Sequence, residues 1–159
     1  MKGKKMTQIK TSSQEETMHV GRALGSILKS GDVVCLSGDL GTGKTAFTNG
    51  IACALGVEDY ITSPTFTIVN EYKTEVPLYH FDVYRIADPE EMYEIGFEEY
   101  LYGDGVVVIE WAELIKDILP DEFIWVNITK NLNLDVNIRE ITIDFTGEKY
   151  KDYIQKLKL

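Results

Sequence analysis

An α/β fold with a mixed central β-sheet flanked by helices, built as one domain over residues 1–159, is what this sequence predicts, and three observations carry it. Short apolar or β-branched runs alternate with helix-like segments along the chain. A glycine-rich turn, Gly38-Asp39-Leu40-Gly41-Thr42-Gly43-Lys44-Thr45, stands between one such run and one such helix. No repeat, linker or low-complexity stretch divides the chain. A chain of about 150 residues buries roughly two-thirds of its unfolded surface, so neither a disulfide nor a structural metal is required.

Residues 7–11 alternate as a short strand, and Ser13-Gln14-Glu15-Glu16 has the spacing of a capping box opening a helix. Met18, Leu24, Ile27 and Leu28 then share an apolar face, and Gly31 is the expected stop. Residues 33–36 are a strand short and apolar enough to be buried. Residues 44–55 are helix material, with Phe47, Ile51 and Leu55 at helical spacing and Gly56 as terminator. Residues 65–72 and 78–84 read as strands joined by a turn, hence a hairpin. Short helices broken at Gly96 follow in 88–99. Residues 106–109 are the most apolar strand, suited to the sheet centre, and 112–119 a helix stopped by Pro120. Strands at 123–129 and 139–145 and a helix over 148–159 complete the pattern.

The formal net charge of −10, from 26 acidic and 16 basic residues, repels polyanions and disfavours direct nucleic-acid binding. The lysines at 149, 151, 156 and 158 read as the solvated face of a terminal helix. Cys35 and Cys53 lie in apolar-patterned segments and form no CxxC pair, which predicts reduced core thiols and a cytoplasmic protein. No segment has the roughly 20 apolar residues of a membrane span, and no export signal is evident.

The glycine-rich turn fits G-x-x-x-x-G-K-[ST], the P-loop pattern, which chance places in about one chain of this length in a few hundred. Glycines let the backbone turn tightly and approach phosphates with no Cβ in the way. The loop amides and the helix N-terminus form an anion site, to which Lys44 adds charge for the β and γ phosphates. The Thr45 hydroxyl is a candidate Mg²⁺ ligand. Asp39 to Ala46 are the expected nucleotide-binding residues: Asp39, Leu40, Gly41, Thr42, Gly43, Lys44, Thr45 and Ala46.

Magnesium also needs an acid at a strand end facing the loop. Glu110 ends the apolar run Val106-Val107-Val108-Ile109, the stronger pattern, and Asp82 ends the weaker Leu78-Tyr79-His80-Phe81. Both are candidates for metal and for catalysis, with a helix cap as the alternative for each. Thr62, Ser63 and Thr65 flank Pro64 about twenty residues after the loop. They fit a γ-phosphate-responsive switch or a plain turn equally. His80, between Tyr79 and Phe81, reads as a hydrogen-bonded core histidine, and Trp111 either stacks on a nucleobase or packs.

Gly38 to Thr45, Ser63-Pro64-Thr65-Phe66, His80-Phe81-Asp82-Val83-Tyr84-Arg85 and Glu110-Trp111, in that order, closely resemble the bacterial TsaE (YjeE) family. Its members are ATPases required for threonylcarbamoyladenosine formation in certain tRNAs. The resemblance implies that Lys44 and Thr45 bind phosphate and Mg²⁺ and that Asp82 and Glu110 both serve the metal or its water. It also implies ATP and Mg²⁺ as cofactors and a TsaB and TsaD pair as partners, with tRNA engaged only through them. The family commonly has a basic residue before the glycine at Gly50, where this chain has Asn49. Beyond Leu119 the similarity is architectural.

A small-molecule kinase is the main alternative, but it needs arginines that clamp two substrates, and the chain has three: Arg22, Arg85 and Arg139. A GTP-dependent switch would carry Asn-Lys-x-Asp, which is missing. Arg22 and Arg139 lie in no motif, and strand alternation turns Arg85 away from Asp82, so slow hydrolysis without partners is expected.

Overall fold

The computed structural model describes residues 4–64, 66–131, 133 and 135–159. Seven strands form one sheet in the order β1-β7-β6-β2-β5-β4-β3. They are β1 (Lys4–Thr11), β2 (Val33–Ser37), β3 (Val69–Tyr72), β4 (Leu78–Asp82), β5 (Val106–Glu110), β6 (Phe123–Lys130) and β7 (Arg139–Thr146). The sheet is mixed as expected: β6, β2, β5 and β4 run parallel, while β1, β7 and β3 pair antiparallel. β2 is the middle strand, and the expected central strand, β5, lies beside it. Both are buried throughout, as parallel strands covered on two faces must be.

On one face lie α1 (Gln14–Gly25) and α2 (Lys44–Ala54), whose Val20, Leu24, Phe47 and Ile51 meet Val34, Leu36 and Val108 of the sheet. On the other, α3 (Glu91–Glu94), α4 (Phe97–Leu101) and a 3-10 helix (Ala112–Ile118) cover Cys35, Phe81, Val107 and Ile109. The chain ends in a 3-10 turn (Glu148–Tyr150) and α5 (Tyr153–Lys156).

Several elements are shorter than the sequence suggests. α1 stops at Gly25 with Ser26 as its cap, and Gly31 turns in a later bend at φ 92°. Met18 is exposed; Val20 takes its place on the buried face. The strand expected over 65–72 begins only at Val69, because Ile68 sits at φ 69°, outside strand geometry. The helix at 112–119 is a 3-10 helix kinked at Ile115. No continuous helix spans 148–159, so the lysines there share no single face: Lys149 bonds the Gly31 carbonyl and Lys156 lies over Tyr153. Cys35 is a core thiol, but Cys53 is exposed on the last turn of α2.

The capping box forms with a shift. Ser13 Oγ accepts from Glu16 N–H at 3.1 Å, while the Glu16 carboxylate reaches past Ser13 to the Ser12 N–H at 2.8 Å. This fixes the first turn of α1, and Ser13, Gln14 and Thr17 of that turn border the cleft described next.

Candidate functional site

A cleft of about 640 Å³ opens at the carboxyl ends of β2, β4 and β5, where α/β sheets bind ligands. The glycine loop forms its floor. Gly38, Gly41 and Gly43 have φ of 136°, 76° and 111°, values that a side chain strongly disfavours. A Cβ on Gly38 would also lie 2.2 Å from the Ile128 carbonyl oxygen, so the loop base can rest on β6 only as glycine. Gly43 precedes α2 without a side-chain cap, and the first turn of α2 holds no acid. Its leading amides therefore face the cleft as an uncompensated positive end.

Lys44 folds back over this loop. Its ammonium donates to the Gly38 carbonyl at 2.5 Å and the Asp39 carbonyl at 2.8 Å, and lies 4.1 Å from the Trp111 ring centroid. Burial lowers its pKa, and the carboxylates of Glu110, Glu113, Asp82 and Asp39 oppose that shift. Leu40 to Ala46 and Trp111 all line the cleft, whereas Asp39 contributes only its carbonyl, which also accepts from Thr42 Oγ1 at 3.0 Å. Trp111 adopts φ 64°, rare for a bulky residue, and this turns its ring over Lys44 and against Tyr84 at 4.6 Å.

The two candidate acids stand side by side. Asp82 of β4 and Glu110 of β5 are register partners at the ends of adjacent parallel strands. Glu110 is buried, with Thr45 Oγ1 at 3.4 Å from one carboxylate oxygen and His80 Nε2 at 2.5 Å from the other. His80 is thus the hydrogen-bonded core histidine expected, and its partner is a site acid. Among the described residues Nδ1 has no hydrogen-bond partner, and the carboxylate on the other side calls for Nε2 to be the donor, the tautomer that leaves no unpaired N–H buried. Asp82 accepts from the Ser63 hydroxyl and from the Tyr84 N–H at 3.0 Å. Thr45, Asp82 and Glu110 offer only oxygen donors, the set that suits Mg²⁺, which takes one or two carboxylates beside phosphate and water.

Of the switch candidates, Ser63 lines the cleft, Thr62 is exposed outside its lining, and Thr65 lies outside the described residues. Asn49 accounts for the basic residue's absence in structural terms. Its amide donates to the Thr45 and Ile61 carbonyls at 3.1 and 3.0 Å and accepts from Ile61 N–H at 2.8 Å, pinning the start of this segment to α2.

One arginine lies elsewhere than strand alternation suggests, and a second, in the strand expected, reaches the cleft unforeseen. β4 ends at Asp82, so alternation no longer governs Arg85, which lines the cleft with its guanidinium 5.0 Å from the Phe66 ring. Arg139, in no motif, lines it from the opposite end. Only the pairing of β6 with β7, invisible in a local pattern, brings it there.

A parallel sheet core with a glycine loop after its middle strand and acids ending the neighbouring strands defines a P-loop protein. The chain belongs to the TsaE family: the family model described as "Threonylcarbamoyl adenosine biosynthesis protein TsaE" matches residues 11–140. That match runs past Leu119, beyond which no motif is recognisable, through β6 and into β7. A Bacillus subtilis protein named "tRNA threonylcarbamoyladenosine biosynthesis protein TsaE" is 43% identical over 155 residues, 96% of this chain and 95% of its own. One of the same name from Treponema pallidum is 44% identical over 131 residues, 82% and 95% of the two chains. The crystal structure of Bacillus subtilis YdiB superposes with a TM-score of 0.80 at 39% identity, covering 97% of this chain and 95% of that one.

Removing the Lys44 ammonium is expected to weaken nucleotide binding about ten- to hundredfold and leave the fold intact, since among the described residues the head group meets the loop carbonyls and the indole face. Calorimetric titration of folded Lys44→Ala checks this; unchanged affinity would remove Lys44 from the site.

Proposed function

We propose that residues 1–159 work as one Mg²⁺-dependent ATPase domain that supports threonylcarbamoyladenosine formation in tRNA, acting in the cytoplasm with a TsaB and TsaD pair. The observation that carries this reading is the juxtaposition of Asp82 and Glu110, in register on adjacent strands, beside Thr45 at the mouth of a complete phosphate loop. In it the loop amides and Lys44 bind the phosphates, and Thr45, Asp82 and Glu110 hold Mg²⁺. Bound Mg²⁺ neutralises charge on the phosphate oxygens. Asp82 and Glu110 accept hydrogen bonds that orient the attacking water, with His80 fixing the Glu110 carboxylate and Ser63 that of Asp82. Trp111 borders the same end of the cleft and shields Lys44 from solvent.

The arginines support slow hydrolysis by the chain alone. An arginine reaching the transferring group is worth roughly 10³- to 10⁵-fold in rate. Arg85 instead lies against Phe66, and Arg139 bonds backbone carbonyls. The net charge of −10 fits a chain that leaves tRNA to its partners. Among the described residues no helix is long and apolar enough to cross a membrane.

Phosphate release is the test, measured with ATP or GTP, without an acceptor, and with or without TsaB and TsaD at fixed Mg²⁺ and salt. Slow ATP-specific release that rises on adding both partners is expected. Release only with a small-molecule acceptor would favour a kinase, and equal use of GTP would favour a GTP-dependent switch. Fast turnover alone, unstimulated, would refute partner control.

A further inference from the structure

The β6–β7 hairpin carries no motif, yet it forms the outer wall of the phosphate loop. Arg139, the first residue of β7, donates from Nε to the Thr42 carbonyl at 2.9 Å and from Nη2 to the Gly41 carbonyl at 3.4 Å. Its Nη1 donates to the Val136 and Ile138 carbonyls at 2.6 and 3.1 Å. One planar guanidinium thus bridges two carbonyls of the hairpin and two of the glycine loop.

We propose that Arg139 is a positioning residue for nucleotide binding, one that sets the direction of the loop amides; this rests on the ATPase reading above. In a trans peptide the C=O and N–H of one plane point opposite ways, and the described chain has no cis peptide. Holding the Gly41 and Thr42 carbonyls toward the hairpin therefore turns the N–H groups of Thr42 and Gly43 the other way, toward the cleft where phosphate binds. Glycines at 41 and 43 leave these planes free to rotate, and the tether removes that freedom before ligand arrives, which lowers the ordering cost of binding.

The charges around Arg139 agree. Its direct cross-strand partner is Lys130, and like charges opposite one another destabilise a hairpin. Among the described residues neither makes an ion pair. Lys130 also leans over the loop, its ammonium 3.4 Å from where a Cβ on Gly41 would stand. Two unneutralised cations at the rim are tolerable where an anion binds.

The test uses the full chain with Arg139→Ala, Arg139→Gln and Arg139→Lys. Calorimetry with ATP and with ADP is combined with steady-state kinetics and the melting temperature of the nucleotide-free protein. The expected result for Arg139→Ala is about tenfold weaker binding of both nucleotides and about tenfold higher KM, with kcat within about twofold. Its nucleotide-free melting temperature stays within a few degrees of the parent. Arg139→Lys recovers part of the affinity, because an ammonium lacks the fork that reaches both loop carbonyls. Arg139→Gln, which keeps part of the side-chain stem without the charged fork, replaces the alanine variant should that one fail to fold. Parental affinity in a folded variant would overturn the proposal, as would affinity lost only in step with melting temperature and kcat. A parent protein that binds neither nucleotide would instead overturn the ATPase reading and this inference with it.

Discussion

On the proposed ATPase reading, Glu110→Gln and Asp82→Asn are each expected to slow ATP hydrolysis about 10²- to 10³-fold while ATP affinity stays within a few-fold, because metal and water alignment matter most as charge develops in the transition state. The two acids are not equivalent. Glu110 is buried between the Thr45 hydroxyl and His80, so the neutral amide keeps its shape but loses the charge facing Thr45 and offers His80 a weaker acceptor. Asp82 is half-exposed and bonds Ser63 and the Tyr84 backbone, so its amide also loosens the segment leading into Ser63. Single-turnover assays alongside calorimetry separate rate from affinity. Parental turnover in either variant would return that acid to a capping role.

Gly50→Ala destabilises the protein by about 3 kcal/mol or more, at the upper end of overpacking costs, although alanine is the better helix former by about 1 kcal/mol. A Cβ on Gly50 would lie 2.0 Å from the Met18 carbonyl oxygen and 2.6 Å from the Arg22 nitrogen. Across the same contact, one on Gly21 would lie 2.1 Å from the Phe47 carbonyl oxygen. Both obstacles are backbone, so relief requires α1 and α2 to part. Because Gln14 and Thr17 of α1 and its cap Ser13 border the cleft that α2 opens, nucleotide affinity is expected to fall with stability. A drop of about 6–12 °C in melting temperature is expected for a chain of this size. A rise would show that helix propensity outweighs the contact.

Elements whose determinants are local were legible in the sequence. The glycine loop, the capped start of α1, the β3–β4 hairpin and the acid-ended strand β5 each carry their signal within a few residues. The family resemblance raised Asp82 beside Glu110, and the register of β4 with β5 shows why the two belong together. What escaped depends on distant partners. Arg139 reaches the loop only through β6–β7 pairing, and Arg85 only because β4 stops at Asp82. A helix-like apolar run placed Cys53 in the core, but Ile51 and Ala52 fill the buried face of the last turn of α2 and Cys53 lies on the exposed one. Asn49 stood out only as a departure from a family pattern, and its amide could be matched to the Ile61 backbone only in three dimensions.

The exposure of Cys53 has a practical side. The chain's other thiol, Cys35, is fully buried, and burial drives its pKa up, which suppresses the thiolate that reacts with alkylating dyes. A maleimide fluorophore added to the native protein therefore attaches at a single place without any engineering. That place lies on the helix that the phosphate loop opens, about 12 Å along its axis from Thr45. This is far enough to leave the cleft clear and near enough for a dye to sense its filling. The native chain thus comes with its own optical reporter for watching nucleotide arrive and leave in real time.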